Sequence, residues 1–325
     1  MPCTSPLQGF FSGVNGQFKY SQAAQEAFKA GKPMNGASAV SCGQCMDCRL
    51  RRSRDWAVRA THEASLWESN CFLTFTFSNE AMFEQCPKVL WSDPFSVFTP
   101  DSSVTVYESF SLVKQHMVKF NKDLRKRLSP HNVRFMYCGE YGSKYKRPHY
   151  HSICFNYDFP DRKFYKSIGT KRYYNSDLLS SLWPHGHAVI SDFSFETAAY
   201  VGGYIMDKVG GRGSNVHYRG KLPEFAGFSR MPGLGHDWFM KYWSDVYPAD
   251  EVVVQLGKRK ARLRPPRYYD KLMEKLCPDV YETVCEKRKL KMEEVEDDNT
   301  YERLLTKNKC TKARLSRLVK NLENS

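Results

Sequence analysis

The sequence predicts an α+β fold, with one central antiparallel sheet flanked by helices, a cysteine-rich N-terminal arm and a charged helical C-terminal tail. Three observations lead there. Strand-length segments of alternating apolar residues recur at Cys71 to Phe77, Val133 to Glu140 and His149 to Asn156, the period of a half-buried strand. A segment with amphipathic helical spacing separates the first from the second. Only the turn-like stretch Tyr141 to Pro148 separates the second from the third, which reads as a hairpin and so as antiparallel pairing.

Taken in order, residues 1–41 are rich in Gly, Ser and Pro and read as an irregular arm, and Cys42 to Cys48 is a tight cysteine cluster. From Arg49 to about Asn70, Trp56, Ala60, Ala64 and Trp67 fall on one helical stripe. In the strand that follows, Leu73, Phe75 and Phe77 face one way, and Thr74 and Thr76 the other. Residues 78–108 carry Pro and Asp loop signals. Val113, Met117, Phe120, Leu124 and Leu128 mark a helix that Pro130 ends. The polar and aromatic segment 157–182 closes with a short helix near Ser176–Trp183, and His187 to Asp192 is a short strand. Ser194 to Val209 is helical and stops at Gly210-Gly211, and the chain is then loop-rich and aromatic to about residue 250. Residues 268–325 read as charged helices with little core of their own. The expected organisation is an arm over 1–50, a central domain over 51–250, and a basic and charged helical region over 251–325.

The 325 residues are 41% hydrophobic and 14% aromatic, enough for a sizeable core. Lys and Arg number 49 against 35 Asp and Glu, a net charge of +14, which favours a polyanionic partner, nucleic acid first. No apolar run approaches the roughly 20 residues of a membrane span. Met1-Pro2-Cys3-Thr4-Ser5 lacks a charged-then-apolar signal pattern, so secretion is not expected. The eleven cysteines then read as reduced thiols or metal ligands.

The chemistry centres on Arg147-Pro148-His149-Tyr150-His151. On a strand, His149 and His151 point to one face. Glu140 ends the preceding hairpin strand and is expected across from them. Two imidazoles and a carboxylate with open positions suit a divalent cation that still binds substrate, and Mg²⁺ or Mn²⁺ suits a phosphate oxygen. The competing reading is two surface histidines on a half-exposed strand. A second such pair, His185-Gly186-His187, contains glycine after Trp183-Pro184 and reads as a turn entering a strand. On the 194–209 helix, Tyr200, Tyr204 and Lys208 lie along one face. A phenol with an ordinary pKa of about 10 needs such a cation to become a nucleophile. Gly202-Gly203 is costly inside a helix, about 1 kcal/mol each relative to Ala, and points to close approach of a neighbour.

Cys42-x2-Cys45-x2-Cys48, with Cys3 as a fourth thiolate, suits structural Zn²⁺. The spacing also fits part of an iron–sulfur run, and three reduced thiols in a loop is the plain alternative. Arg49, Arg51, Arg52 and Arg54, Arg147, and the run Lys258, Arg259, Lys260, Arg262, Arg264 and Arg267 are candidate phosphate contacts. Their aromatic neighbours Trp56 and Tyr268-Tyr269 fit single-strand binding by charge and stacking.

In this order, Phe72-Leu73-Thr74-Phe75-Thr76-Phe77, Glu140 with His149-Tyr150-His151, and Tyr200 with Tyr204 resemble the three motifs of rolling-circle replication initiators, the HUH endonucleases. Ser41-Cys42-Gly43-Gln44-Cys45-Met46-Asp47-Cys48-Arg49, Ser53-Arg54-Asp55-Trp56-Ala57 and Cys138-Gly139-Glu140-Tyr141-Gly142 look more narrowly like microvirus initiators of the gokushovirus group. The resemblance runs from Cys3 to about residue 270. It implies a ferredoxin-like or RNA-recognition-motif-like sheet with the histidines at its centre. His149 and His151 match the metal-binding pair, Glu140 an acidic third ligand, and Tyr200 and Tyr204 a two-tyrosine helix motif. One departure is that related sequences often carry Lys three residues after the second tyrosine, where this chain has Asp207, with Lys208 following. The resemblance further implies cleavage of origin DNA through a 5′-phosphotyrosyl link, release of a 3′-OH, and rejoining without ATP. Single-stranded and supercoiled double-stranded DNA are the implied substrates, in the cytoplasm of a bacterial host. The attack is assigned here to Tyr204, the tyrosine nearer Lys208, with Tyr200 second. No Gly-x4-Gly-Lys-Ser/Thr loop is present, so strand separation and synthesis fall to a host helicase and polymerase. Two other readings use the same residues: a non-catalytic single-stranded DNA-binding protein with a zinc-stabilised arm, and a metal hydrolase with a water nucleophile.

Overall fold

A computed structural model describes residues 3–13, 16–92, 106–142, 144–207, 214–256 and 259–316, without the side chains of 91–92, 106–107, 204–207 and 215. Lys208 and Lys258 lie outside the described residues. The described chain divides into two compact units, one of residues 3–52, 243–252 and 264–316, the other of residues 53–242 and 253–263.

The first unit begins with β1 (Leu7–Phe11), β2 (Phe18–Tyr20), α1 (Gln22–Lys29) and β3 (Ser38–Val40). The segment expected to be irregular thus holds a three-stranded antiparallel sheet with β1 in the middle. Its strands are only three to five residues long, too short for alternation to stand out from the Gly and Ser around them. At the β1–β2 crossing a Cβ on Gly9 would lie 2.0 Å from the Lys19 carbonyl oxygen, so only glycine permits that pairing. The Ser21 hydroxyl caps α1 by accepting from the Ala24 N–H at 3.2 Å. The long helix α2 (Met46–Ala64) starts in this unit.

The second unit contains the rest of α2, then β4 (Asn70–Phe75), α3 (Asn79–Gln85), β5 (Lys88–Ser92), β6 (Val106–Phe110), α4 (Lys114–Leu128), β7 (Arg134–Tyr141), β8 (Pro148–Phe155), β9 (Lys163–Ile168), β10 (Lys171–Asn175), α5 (Asp177–Leu182), β11 (Ala188–Asp192), α6 (Phe195–Asp207), α7 (Ser214–Tyr218) and β12 (Phe225–Phe228). The chain continues into α8 (His236–Val246), β13 (Val252–Leu256) and β14 (Arg259–Leu263). Seven strands form one sheet in the order β12-β7-β8-β4-β11-β10-β9, with every pair antiparallel. The expected α+β architecture is observed.

Strand alternation gives the sheet two buried faces. On one, Leu73, Phe75, Phe135, Tyr150 and Cys154 pack with Met117, Phe120 and Leu124 of α4 and Leu179 of α5. On the other, Phe72, Met136, Cys138, Ile153 and Phe155 pack with Ala57, Ala60 and Ala64 of α2 and Ala198 and Val201 of α6. The sheet is therefore covered by helices on both sides. The β9–β10 hairpin lies within the segment read only as polar and aromatic. It forms the sheet edge, exposing Phe164 and Tyr165, so it shows no buried stripe.

The first unit resumes with α9 (Arg267–Leu276), α10 (Pro278–Glu293) and α11 (Tyr301–Ser316). Tyr247, Tyr269, Met273, Val284 and Leu304 are buried there. The Arg288 guanidinium donates to Asp270 at 2.9 and 3.1 Å and to Asp250 at 2.5 and 2.8 Å, and the Tyr247 hydroxyl donates to Asp270 at 2.7 Å. No helix among the described residues is long and apolar enough to cross a membrane.

Candidate active site

The β7–β8 hairpin places Glu140 opposite His149 and Cys138 opposite His151, and β4 places Thr74 opposite His151 on the other side. All of these side chains share the face that α2 and α6 cover, because residues two apart on a strand point the same way. Gly139 follows from the packing of the opposite face. A Cβ there would meet the Phe225 ring at 2.7 Å and the Tyr150 ring at 3.0 Å.

On that face one oxygen, Glu140 Oε1, is a point of convergence. His149 Nε2 lies 2.7 Å from it and His151 Nε2 lies 2.6 Å from it. The Tyr200 hydroxyl donates to the same oxygen at 2.9 Å. Glu140 and His151 are buried, and the His149 side chain is 18% exposed, so approach from outside is by way of His149. Phe72 stacks on the His151 ring, with centroids 5.4 Å apart.

The outer ring nitrogens are also occupied. His149 Nδ1 is 3.2 Å from the Arg147 carbonyl oxygen, and His151 Nδ1 is 3.1 Å from Thr74 Oγ1. A carbonyl only accepts, so Nδ1 of His149 carries the hydrogen and donates to Arg147. Burial works against a charged Glu140, yet hydrogen bonds from the two histidines outweigh it and hold the carboxyl at about 2. Burial pushes His151 below its ordinary value against the opposing pull of Glu140. An ionised carboxylate faced by imidazoles whose outer nitrogens are tethered is a donor set for a cation, and such tethers are the usual second layer of metal-bound histidines. Among the described residues, two groups bring three or more metal-ligating atoms within 4.8 Å of one another: Glu140, His149 and His151, and Cys3, Cys42, Cys45 and Cys48. Both are compatible with metal binding.

Tyr200 reaches this point because α6 packs on β7 and β8, and at Gly202 the helix also runs close to α2. A Cβ on Gly202 would sit 3.0 Å from the Ser53 carbonyl oxygen and 3.2 Å from Trp56 Cβ. The Ser53 hydroxyl donates to the Ala199 carbonyl at 2.9 Å, next to Tyr200. Tyr204 stands one turn further along α6, and its side chain lies outside the described ones.

Other sequence-predicted residues fall elsewhere. Arg147 donates to Asn79 Oδ1 at 2.7 Å and to the Phe77 carbonyl at 2.9 Å, which ties the entrance of β8 to the loop after β4. Arg52 donates to the Gly43 carbonyl at 3.0 Å, and Arg54 pairs with Asp55 at 2.8 Å. Arg49 and Arg51 are half-buried on α2, while Arg259 and Lys260 are exposed on β14. His185 packs against His116 and Trp183 with centroids 5.2 and 4.8 Å away, and neither His185 nor His187 joins a metal-ligating group. The facing of Thr74 is readable from the sequence, but its contact to His151 is not. Its parity on a strand beside the histidines was the available signal.

A family model described as replication-associated protein ORF2/G2P matches residues 70–209, the span from β4 through α6 that builds this site. The chain is 28% identical over 299 residues to replication-associated protein VP4 of Bdellovibrio phage phiMH2K, covering 91% of this chain and 84% of that one. The chain is similar to phage replication-associated proteins. Replication-associated protein ORF2 of Spiroplasma virus 4 is 29% identical over 294 residues, covering 86% of this chain and 83% of its own. Replication-associated protein ORF4 of Chlamydia phage 1 is 25% identical over 248 residues, covering 74% and 55%. No solved structure matches. The similarity to these replication-associated proteins runs over most of the chain.

Proposed function

We propose that this chain is a phage replication initiator that opens circular DNA at its origin through a tyrosine nucleophile, begins rolling-circle synthesis and rejoins the displaced strand. The observation that carries this reading is the shared oxygen: Tyr200 donates to the Glu140 atom that both histidines face. A nucleophile and a cation-binding set are thereby adjacent, as phosphoryl transfer requires.

Glu140, His149 and His151 would hold a hard divalent ion, Mg²⁺ or Mn²⁺, which offsets charge on the scissile phosphate when bound. The Thr74 and Arg147 contacts fix the imidazoles. Glu140 accepts from the Tyr200 hydroxyl and draws the proton away from the phenol oxygen. That oxygen attacks phosphorus, the P–O3′ bond breaks, and the 3′ oxygen takes up a proton. One proton leaves the phenol and one arrives on the 3′-OH, so the step balances. The phosphotyrosyl link retains a phosphoester bond, so the reverse attack by a 3′-OH needs no ATP. We take Tyr200 as the first nucleophile because its hydroxyl meets Glu140, and Tyr204, expected first from the sequence, as the second. Single-stranded and supercoiled origin DNA are the substrates, the exposed Arg259 and Lys260 are backbone contacts, and a host helicase and polymerase act alongside in the host cytoplasm.

The test is a denaturing gel of full-length protein with circular and single-stranded origin DNA. A detergent-stable protein–DNA adduct that needs divalent metal and vanishes in Tyr200→Phe/Tyr204→Phe supports the proposal. A gel shift without adduct marks a binding protein, and cutting without adduct marks a hydrolase.

A further inference from the structure

Four thiols from three places in the chain meet within the first unit. Cys3 precedes β1, Cys42 and Cys45 bracket a turn after β3, and Cys48 lies in the first turn of α2. Their sulfurs all lie within 4.8 Å of one another. Cys3 Sγ is 3.7 Å from Cys42 Sγ and 3.8 Å from Cys45 Sγ. Zinc–sulfur bonds of about 2.3 Å arranged tetrahedrally put the sulfurs about 3.8 Å apart. The observed spacings are the edges of that tetrahedron. A disulfide would bring two of them to about 2.05 Å, and all four are free thiols. An iron–sulfur cube holds its cysteines on outer corners around an inorganic core, too far apart to fit within the same 4.8 Å.

The backbone is arranged for charge on the sulfurs. Gly43 has φ +72, a conformation glycine adopts freely. In the turn it allows, the Cys45 N–H donates to Cys42 Sγ at 3.2 Å and the Gln44 N–H to the same sulfur at 3.4 Å. The Cys42 N–H donates to Cys3 Sγ at 3.4 Å. Amides aimed at sulfur favour the thiolate, the form that binds metal. Asp47, between the last two cysteines, accepts from Thr4 at 2.9 Å and from Thr311 of α11 at 3.1 Å. The cluster therefore sits where the start of the chain, the β1–β3 sheet, α2 and α11 come together.

We infer that Cys3, Cys42, Cys45 and Cys48 form a closed tetrathiolate site for one zinc ion, which pins the N-terminal sheet to the start of α2. Four protein ligands leave no open position, so the site is structural. It is independent of the nicking reading and stands or falls separately from it.

The test uses the full chain purified without chelator. Metal analysis is expected to give one zinc per chain, retained in His149→Ala/His151→Ala and lost in Cys42→Ser/Cys45→Ser. Replacement by Co²⁺ is expected to produce the intense visible bands and thiolate charge-transfer absorption of a tetrahedral sulfur site. Because the serine variant is exposed to misfolding, alkylation of the unmodified chain with peptide mapping supplies a second readout. The four cluster thiols should resist alkylation until a strong chelator is added, while the exposed Cys285 and Cys310 react in either condition. No stoichiometric zinc, a cobalt form without thiolate absorption, equal alkylation of the four with and without chelator, or iron in place of zinc would each overturn the assignment.

Discussion

Two adjacent glycines on α6 give a matched pair of substitutions with opposite expected signs. Gly202 and Gly203 both pay the helix cost of glycine, so alanine gains about 1 kcal/mol at either position on propensity alone. Their surroundings differ. At Gly203 the new methyl would approach nothing closer, among the described residues, than the Ser53 hydroxyl at 4.0 Å, an ordinary contact. At Gly202 it would meet the Ser53 carbonyl at 3.0 Å, Trp56 Cβ at 3.2 Å and Ser53 Cα at 3.5 Å. These atoms belong to the backbone and first carbon of α2, so the two helices must separate by several tenths of an ångström. Overpacking of that kind costs roughly 1 to 3 kcal/mol. Gly203→Ala should therefore stabilise by up to about 1 kcal/mol. Gly202→Ala should destabilise by about 1 kcal/mol, the overpacking cost less the propensity gain. For a unit of this size the two melting temperatures should differ by roughly 4 to 8 °C. Thermal unfolding followed by circular dichroism reads this directly. Displacement of α6 also moves Tyr200 relative to Glu140, so Gly202→Ala should lose nicking activity while Gly203→Ala keeps it. Equal stabilisation by both substitutions would refute the close-approach account of α6.

Thr74→Val keeps the β-branched shape on β4 but removes the partner of His151 Nδ1; divalent-metal affinity, measured by calorimetry, should fall about 10- to 100-fold with little change in melting temperature. Burial lowers His62 to about 3 and His116 to about 4, the latter with help from His185. Both are neutral in folded and unfolded chains above pH 6.5, but below it only the unfolded chain takes up the protons. Stability should fall as pH drops from 6.5 toward 4, by up to roughly 2 kcal/mol per histidine at pH 5. Denaturant unfolding of wild type and His116→Asn at pH 7 and pH 5 isolates one histidine's share, and an identical pH dependence in both proteins would contradict it.

The hairpin that carries the site was legible because Met136, Cys138 and Glu140, and then His149 and His151, alternate with apolar residues on strands buried on both faces. Alternation fixes facing, and a short turn fixes pairing. The β9–β10 hairpin was not legible because an edge strand such as Lys163–Ile168 buries little and so shows no stripe. The β1–β3 sheet was hidden by strands too short to display a period. The contact of Tyr200 with Glu140 joins residues 60 positions apart. The packing of α6 on β7 and β8 brings them together, and the Gly202-Gly203 pair was the trace its close approach to α2 left in the sequence. The cysteine spacing pointed to a metal, but only the sulfur–sulfur distances separate a single ion from an iron–sulfur cluster.

The central claim is that a tyrosine beside Glu140, His149 and His151 becomes covalently joined to DNA. Its most direct test is peptide mapping by mass spectrometry of the adduct trapped in a single turnover on single-stranded origin DNA. The expected result is a phosphotyrosyl link at Tyr200, formed only with divalent metal and absent in Tyr200→Phe. A link on a residue outside α6, or strand cleavage that leaves a free 5′-phosphate and no link, would contradict it.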